Sequence, residues 1–153
     1  MLIKTTRFGE IEIEGNKVIN FPYGIIGFRE RKKYALLDYK EGSPFRWFQS
    51  VEDEDLAFLS VSPFYFFPYE FEIPDWEQVE LELENAKDVA VLVLVTVPSD
   101  PKKVSCNLLA PIIVNTKTNQ AKQIVLETDR YTTKHLILEE MEKMGKVISE
   151  GSG

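Results

Sequence analysis

The chain has 153 residues, with 25 acidic against 18 basic side chains for a formal charge of −7. That length fits a single domain over 1–153, and an apolar content of 44% excludes wholesale disorder. One cysteine excludes an intrachain disulfide, the excess of acid speaks against direct nucleic-acid binding, and the longest apolar run, 89–97, is about half a membrane span.

In chain order, residues 2–6 predict a strand. Glu10-Ile11-Glu12-Ile13-Glu14 alternates strictly, which predicts a second with its isoleucines on one face. Gly15-Asn16 predicts a turn before a strand over 18–21. Phe21-Pro22-Tyr23-Gly24 predicts another turn, after which Phe28 is expected to return to the core. Strands are predicted over 34–39, 45–50 and 56–62, each closed by Gly, Pro or Asp/Ser-rich turns. Pro74-Asp75-Trp76-Glu77-Gln78 predicts a short helix with Asp75 as N-cap and Trp76, Val79 and Leu83 on one face, although 79–84 also alternates like a strand. Residues 89–97 are β-branched and apolar throughout, as in a central strand covered on both faces. Strands over 112–114 and 123–126 follow around a turn at 115–120, and 134–146 predicts a weakly amphipathic C-terminal helix before a frayed tail. The fold class expected is therefore mainly β: a small antiparallel barrel-like or sandwich domain with one short helix and a C-terminal helix.

The charge is unevenly spread. Residues 1–40 are net +3, 89–153 net +1, and 41–88 net −11. The acids come as the tetrad Glu52, Asp53, Glu54 and Asp55 and as a longer stretch from Glu70 to Asp88. Seven aromatics lie between Phe64 and Trp76, punctuated by Pro63, Pro68 and Pro74, so no regular strand can run through them. Most such rings are expected in the core. Those flanked by Glu70, Glu72 and Asp75 have the make-up of an interface, with apolar anchors and a charged rim. The predicted partner-binding residues are Glu52, Asp53, Glu54, Asp55, Tyr69, Glu70, Phe71, Glu72 and Asp75.

Catalytic chemistry is thinly represented. Cys106 reads as a small buried hydrophobe and His135 as a surface residue opening the C-terminal helix; nothing local marks the thiol as activated. The sequence has no Cys/His cluster for zinc, and the acidic tetrad lacks the glycine and closing glutamate of a calcium loop, so neither metal nor cofactor is expected. Gly24-Ile25-Ile26-Gly27 matches the four-residue G-x-x-G of a KH loop, but no basic helix follows.

Phe21-Pro22-Tyr23-Gly24-Ile25-Ile26-Gly27-Phe28, Phe48-Gln49-Ser50 with Glu52-Asp53, Leu56-Ala57-Phe58, Asn107-Leu108-Leu109-Ala110-Pro111, Asn115 and Gln123 occur in that order along the chain. In this the chain resembles the flagellar assembly factor FliW family over about residues 7 to 135. The resemblance marks Phe21, Pro22, Gly24, Gly27, Phe28, Asn107, Ala110 and Pro111 as structural-motif positions. It implies a β-barrel-like, non-enzymatic, cytoplasmic regulator, monomeric when free. Such a regulator binds the translational repressor CsrA away from its RNA groove, relieves repression of flagellin synthesis, and also binds flagellin. At Cys106 the family pattern has a small polar residue, commonly threonine, which speaks against a chemical role for the thiol. Neither a membrane nor direct nucleic acid is implied as a partner. The competing readings are a flagellin export chaperone with no regulatory arm, a hydrolase using Cys106 or His135, and an OB-like nucleic-acid binder disfavoured by charge.

Overall fold

A computed structural model describes residues 1–143; the expectation for the chain beyond, including the Met144 end of the predicted helix, lies outside the described residues. The N-terminal strands β1 (Leu2–Thr5) and β2 (Gly9–Glu12) form a separate antiparallel hairpin. Its turn is locked by Thr5, whose hydroxyl donates to the Gly9 carbonyl and accepts from the Phe8 amide. The larger sheet comprises β3 (Val18–Asn20), β4 (Lys33–Asp38), β5 (Phe45–Ser50), β6 (Ala57–Val61), β7 (Val89–Thr96), β8 (Ser105–Cys106), β9 (Ile112–Asn115), β10 (Gln120–Gln123) and β11 (His135–Leu136).

Seven of these strands close a barrel in the order β7-β6-β5-β4-β3-β10-β9, with β9 returning to pair with β7. Only the β3–β10 pair is parallel. Closure leaves no free edge among the seven. The alternation of β4 to β7 sends Tyr34, Phe48 and Leu92 inward with Ile19, Phe21, Ile25 and Ile112. The Phe21 ring meets Tyr34 at 5.3 Å and Phe48 at 5.5 Å, both edge-on. Burying each such ring is worth roughly 1.5–3 kcal/mol. On the outside, Ile3, Ile11 and Ile13 of the hairpin region cover Ala35 and Leu37, as the strict alternation predicts. A second outer layer packs Phe67, Tyr69, Leu108 and Ile137 on Val61, Val93 and Cys106. β7 is thus covered on both faces, with Leu92 in one cluster and Val93 in the other.

The motif residues are loop organisers. Gly24 has φ +69°, and a Cβ there would lie 2.5 Å from the Arg29 Cα, so only glycine fits. Asn107 Oδ1 accepts from the Leu109 and Ala110 amides, setting the turn that buries Ala110 and Pro111. Gln123 joins that turn to the glycine loop: its Nε2 donates to the Ala110 carbonyl and its Oε1 accepts from the Ile26 amide. Asn115 accepts from the Lys117 and Thr118 amides and donates to the Leu81 and Glu82 carbonyls.

Several expectations are corrected. The strand placed at 123–126 is β10, three residues earlier, because its inward face is Ala121 and Gln123, which hydropathy does not mark. Residues 124–126 still run beside the Asn107 turn, the Ile124 and Leu126 amides donating to the Pro111 and Leu109 carbonyls. His135 does not open a helix. It pairs opposite Cys106 in β11, and the helix α2 (Ile137–Lys143) begins two residues later than His135. Phe28 stays exposed and packs edge-on against Phe58 at 5.0 Å.

Candidate functional site

The helix α1 (Asp75–Glu80) has Pro74 at its N-cap, so Asp75 is its first residue and makes no side-chain cap. Its orientation reverses the amphipathic expectation. Trp76 is 61% and Val79 76% exposed, whereas Glu77 is 4% exposed. The cause is an ion pair: Lys122 Nζ on β10 lies 2.6 Å from Glu77 Oε1 and 3.6 Å from Glu80 Oε1. Burial alone would lower the Lys122 pKa, but the hydrogen bond and charge of Glu77, then Glu80, hold it above the usual lysine value. Two further ties fix the helix. Gln78 Nε2 donates to the Ile73 carbonyl, and Asn115 holds the carbonyls of Leu81 and Glu82. Leu81, just past the helix, supplies the buried apolar contact with Ile113 and Ile124.

The same ammonium sits 4.6 Å from the Trp76 ring and 4.9 Å from the Tyr23 ring. A hydrogen bond to Glu80 and the charge of Glu80 raise the Tyr23 hydroxyl pKa. Two exposed aromatics are therefore held in fixed positions about a paired cation, at little further entropic cost to a binding partner. Ile26, also exposed, is anchored nearby by its amide on Gln123.

Beside α1 runs a groove of about 620 Å³ lined by Glu70, Phe71, Glu72, Pro74, Trp76, Glu77, Val125, Glu127, Arg130 and Tyr131, among others. The Tyr131 hydroxyl accepts from the Glu70 amide and donates to the Glu70 carbonyl, pinning that irregular backbone while the carboxylate stays exposed. Tyr69 does not reach the groove surface. It is buried, its hydroxyl donates to the Leu108 carbonyl at 2.6 Å, and burial drives its pKa up. Phe71 is half-buried in the groove wall, and Glu72 and Asp75 are exposed.

The tetrad lies in a different neighbourhood. Gln49 Nε2 faces the carbonyls of Ser50, Asp53, Glu54 and Leu56, and the Ser50 hydroxyl accepts from the Glu52 and Asp53 amides. Glu52 accepts from the Lys32 and Lys33 amides, which lowers its pKa. Asp53 faces Arg31 at 3.7 Å, Thr6 donates its hydroxyl to Asp55, and the Glu54 carbonyl accepts from the Thr6 amide. These acids pin the loop over the hairpin and the 28–33 segment.

Cys106 is fully buried, and burial pushes its thiol up to about 12. His135 Nε2 accepts from the Thr132 amide at 2.8 Å, so that nitrogen is engaged in its own turn. No cluster of three metal-ligating side chains occurs among the described residues, and none of their helices is long and apolar enough to cross a membrane.

Sequence reasoning missed Tyr23, Lys122, Glu77, Glu127, Arg130 and Tyr131 as parts of one surface. The available signal was an apolar stripe, Trp76 and Val79, on a helix too short to need two buried faces.

A family model described as FliW protein matches residues 2–137. A flagellar assembly factor FliW of Alkaliphilus metalliredigens is 42% identical, covering 94% of this chain and 90% of that protein. The namesake from Bacillus subtilis is 45% identical, covering 90% and 96%. A crystal structure of the flagellar assembly factor FliW superposes with a TM-score of 0.82 at 36% identity, covering 90% of this chain and 96% of that one.

Proposed function

This chain belongs to the FliW family of flagellar assembly factors, and from that premise we propose that it is a cytoplasmic, non-catalytic regulator. It binds CsrA to relieve repression of flagellin translation, and it binds flagellin in a partner-switching feedback. The observation that carries the CsrA half is the groove beside α1: acidic walls with Trp76 in its lining, the Trp76 ring sharing the Lys122 ammonium with exposed Tyr23. A protein that grips RNA phosphates must be basic. Opposite charge speeds its encounter with this chain, and buried aromatics supply the affinity that charge alone does not. CsrA therefore docks at Glu70, Phe71, Glu72 and Asp75 with Trp76, while Glu52, Asp53, Glu54 and Asp55 shape a loop elsewhere.

The test is titration of this protein with CsrA and with flagellin, each repeated with the other in excess. Mutual exclusion or reciprocal weakening supports the switch. Binding of flagellin but not CsrA leaves the export-chaperone reading, and binding of neither overturns both. Charge reversal at Glu70 and Glu72 should slow association with CsrA and reduce its salt dependence. Unchanged association at low salt by the folded variant moves the site elsewhere.

A further inference from the structure

A second groove, of about 780 Å³, lies on the outer face of the barrel. Leu37, Trp47, Leu59 and Val95 stand opposite one another across β4 to β7, and the row continues to Cys106 on β8. The hairpin covers the Leu37 end, and the outer layer around Phe67 and Leu108 covers the Cys106 end. The middle of the row is only half covered: Trp47, which Phe8 meets edge-on at 6.4 Å, Leu59 and Val95 stay partly exposed and floor the groove, with Val97 and Val104 along one side.

Its rim carries the opposite sign to the α1 groove. Arg7 lies 4.0 Å from the Trp47 ring centroid, and Lys40 lies 5.9 Å from that of Tyr39. Glu41 is the one carboxylate in the lining. The cations come from the first forty residues, the most net-positive stretch of the chain.

We propose that the Trp47–Leu59–Val95 groove docks a short amphipathic helix of another protein, with an apolar stripe and an acidic flank. Three strands at about 4.8 Å spacing give an apolar floor roughly 10 Å across, the length of about two turns of a helix laid across them. Arg7 and Lys40, oriented over aromatic faces, would meet carboxylates on the flank. This goes beyond the CsrA reading and does not depend on it, because the two grooves share no lining residue. Two partners of opposite charge can then be held at once.

The test uses the full chain carrying Trp76→Phe, so that Trp47 is the only tryptophan, and two synthetic 14-residue helical peptides. Both have one leucine stripe; one carries glutamates on its flanks and the other lysines. The glutamate peptide should shield Trp47 from acrylamide and bind at least tenfold more tightly than the lysine peptide. Arg7→Glu with Lys40→Glu, both at exposed positions, should reverse that preference while leaving the circular dichroism unchanged. Equal binding of the two peptides, or no shielding at millimolar peptide, overturns the proposal. Trp47 already shielded in the free protein also overturns it: shielding independent of concentration means the chain covers its own groove, and shielding that grows with concentration means a second copy does.

Discussion

Glu77 and Lys122 meet at 2.6 Å across the joint between α1 and β10, and this pair holds the apolar face of the helix toward solvent. Both side chains are largely withdrawn from water, so removing one partner strands the other. Lys122→Met or Glu77→Leu alone should each cost about 3 kcal/mol, at the low end for a buried pair because Lys122 keeps some exposure. The double variant should recover much of that loss, which chemical denaturation of all four proteins would measure. The raised Lys122 pKa adds an alkaline signature. Its stabilisation is complete below the unfolded lysine value near 10.4 and is lost as pH climbs through the higher folded value. Lys122→Met should flatten that alkaline limb.

Trp76 separates binding from stability. Its ring is mostly exposed and its main intramolecular partner is the Lys122 ammonium. Trp76→Ala should therefore cost no more than about 1 kcal/mol in folding. As an anchor at a docking surface, the same truncation should weaken CsrA at least tenfold, mostly through faster dissociation. Calorimetric titration beside a thermal melt distinguishes the two; unchanged affinity would remove Trp76 from the site.

Gly24 and Gly27 differ in what surrounds them although both have positive φ, +69° and +88°. At Gly27 a Cβ meets nothing within 4 Å, so Gly27→Ala should cost only the left-handed strain, about 1–2 kcal/mol. At Gly24 the Cβ collides with the Arg29 backbone, and Gly24→Ala must also displace the 28–31 segment. Its loss of stability should exceed that of Gly27→Ala by at least about 2 kcal/mol in urea denaturation.

The barrel was legible because its strands carry the period-2 pattern that burial on one face demands. The alternation at Ile11 and Ile13 locates the outer hairpin, and the aromatic and β-branched runs of β5 to β7 locate much of the barrel. β8 and β11 are two residues each, too short for any period, and β10 hides its inward face in Ala121 and Gln123. The groove acids were legible as charge, but the orientation of α1 was not. A buried glutamate becomes acceptable only when a lysine 45 residues away neutralises it, and no local pattern contains that partner. The tetrad shows the same limit: its carboxylates look alike in sequence, whereas those of Glu52, Asp53 and Asp55 are engaged by Lys32, Lys33, Arg31 and Thr6 from distant parts of the chain.

Glu52 turns that loop arrangement into an acid dependence. The Lys32 and Lys33 amides bind its ionised form, so its folded pKa lies below the unfolded value near 4.3. Its stabilisation is complete above that value and disappears as pH falls through the lower folded one. Glu52→Gln keeps an acceptor but removes the charge. It should lower the melting temperature slightly at pH 7 and converge with the parent near pH 3. Parallel curves across that range would mean that the carboxylate contributes nothing through its charge.

Cys106 offers a reading of the core from within. Its thiol lies among Val61, Phe67, Val93, Leu108 and Ile137, and burial pushes its pKa up to about 12. At pH 8 the folded protein should therefore react with a thiol reagent only through unfolding, with full labelling in denaturant at once and little without it. A shift in this direction means that the unfolded thiol ionises first, so stability should decline as pH rises past about 8.5. Cys106→Ala should remove that decline at a cost of about 1 kcal/mol at neutral pH. Because the residue sits beneath the outer layer and touches neither groove, the variant should bind CsrA as the parent does. Loss of binding without loss of stability would reinstate a chemical role for the thiol, and rapid labelling of the native protein would show that the Phe67–Leu108 layer opens on its own.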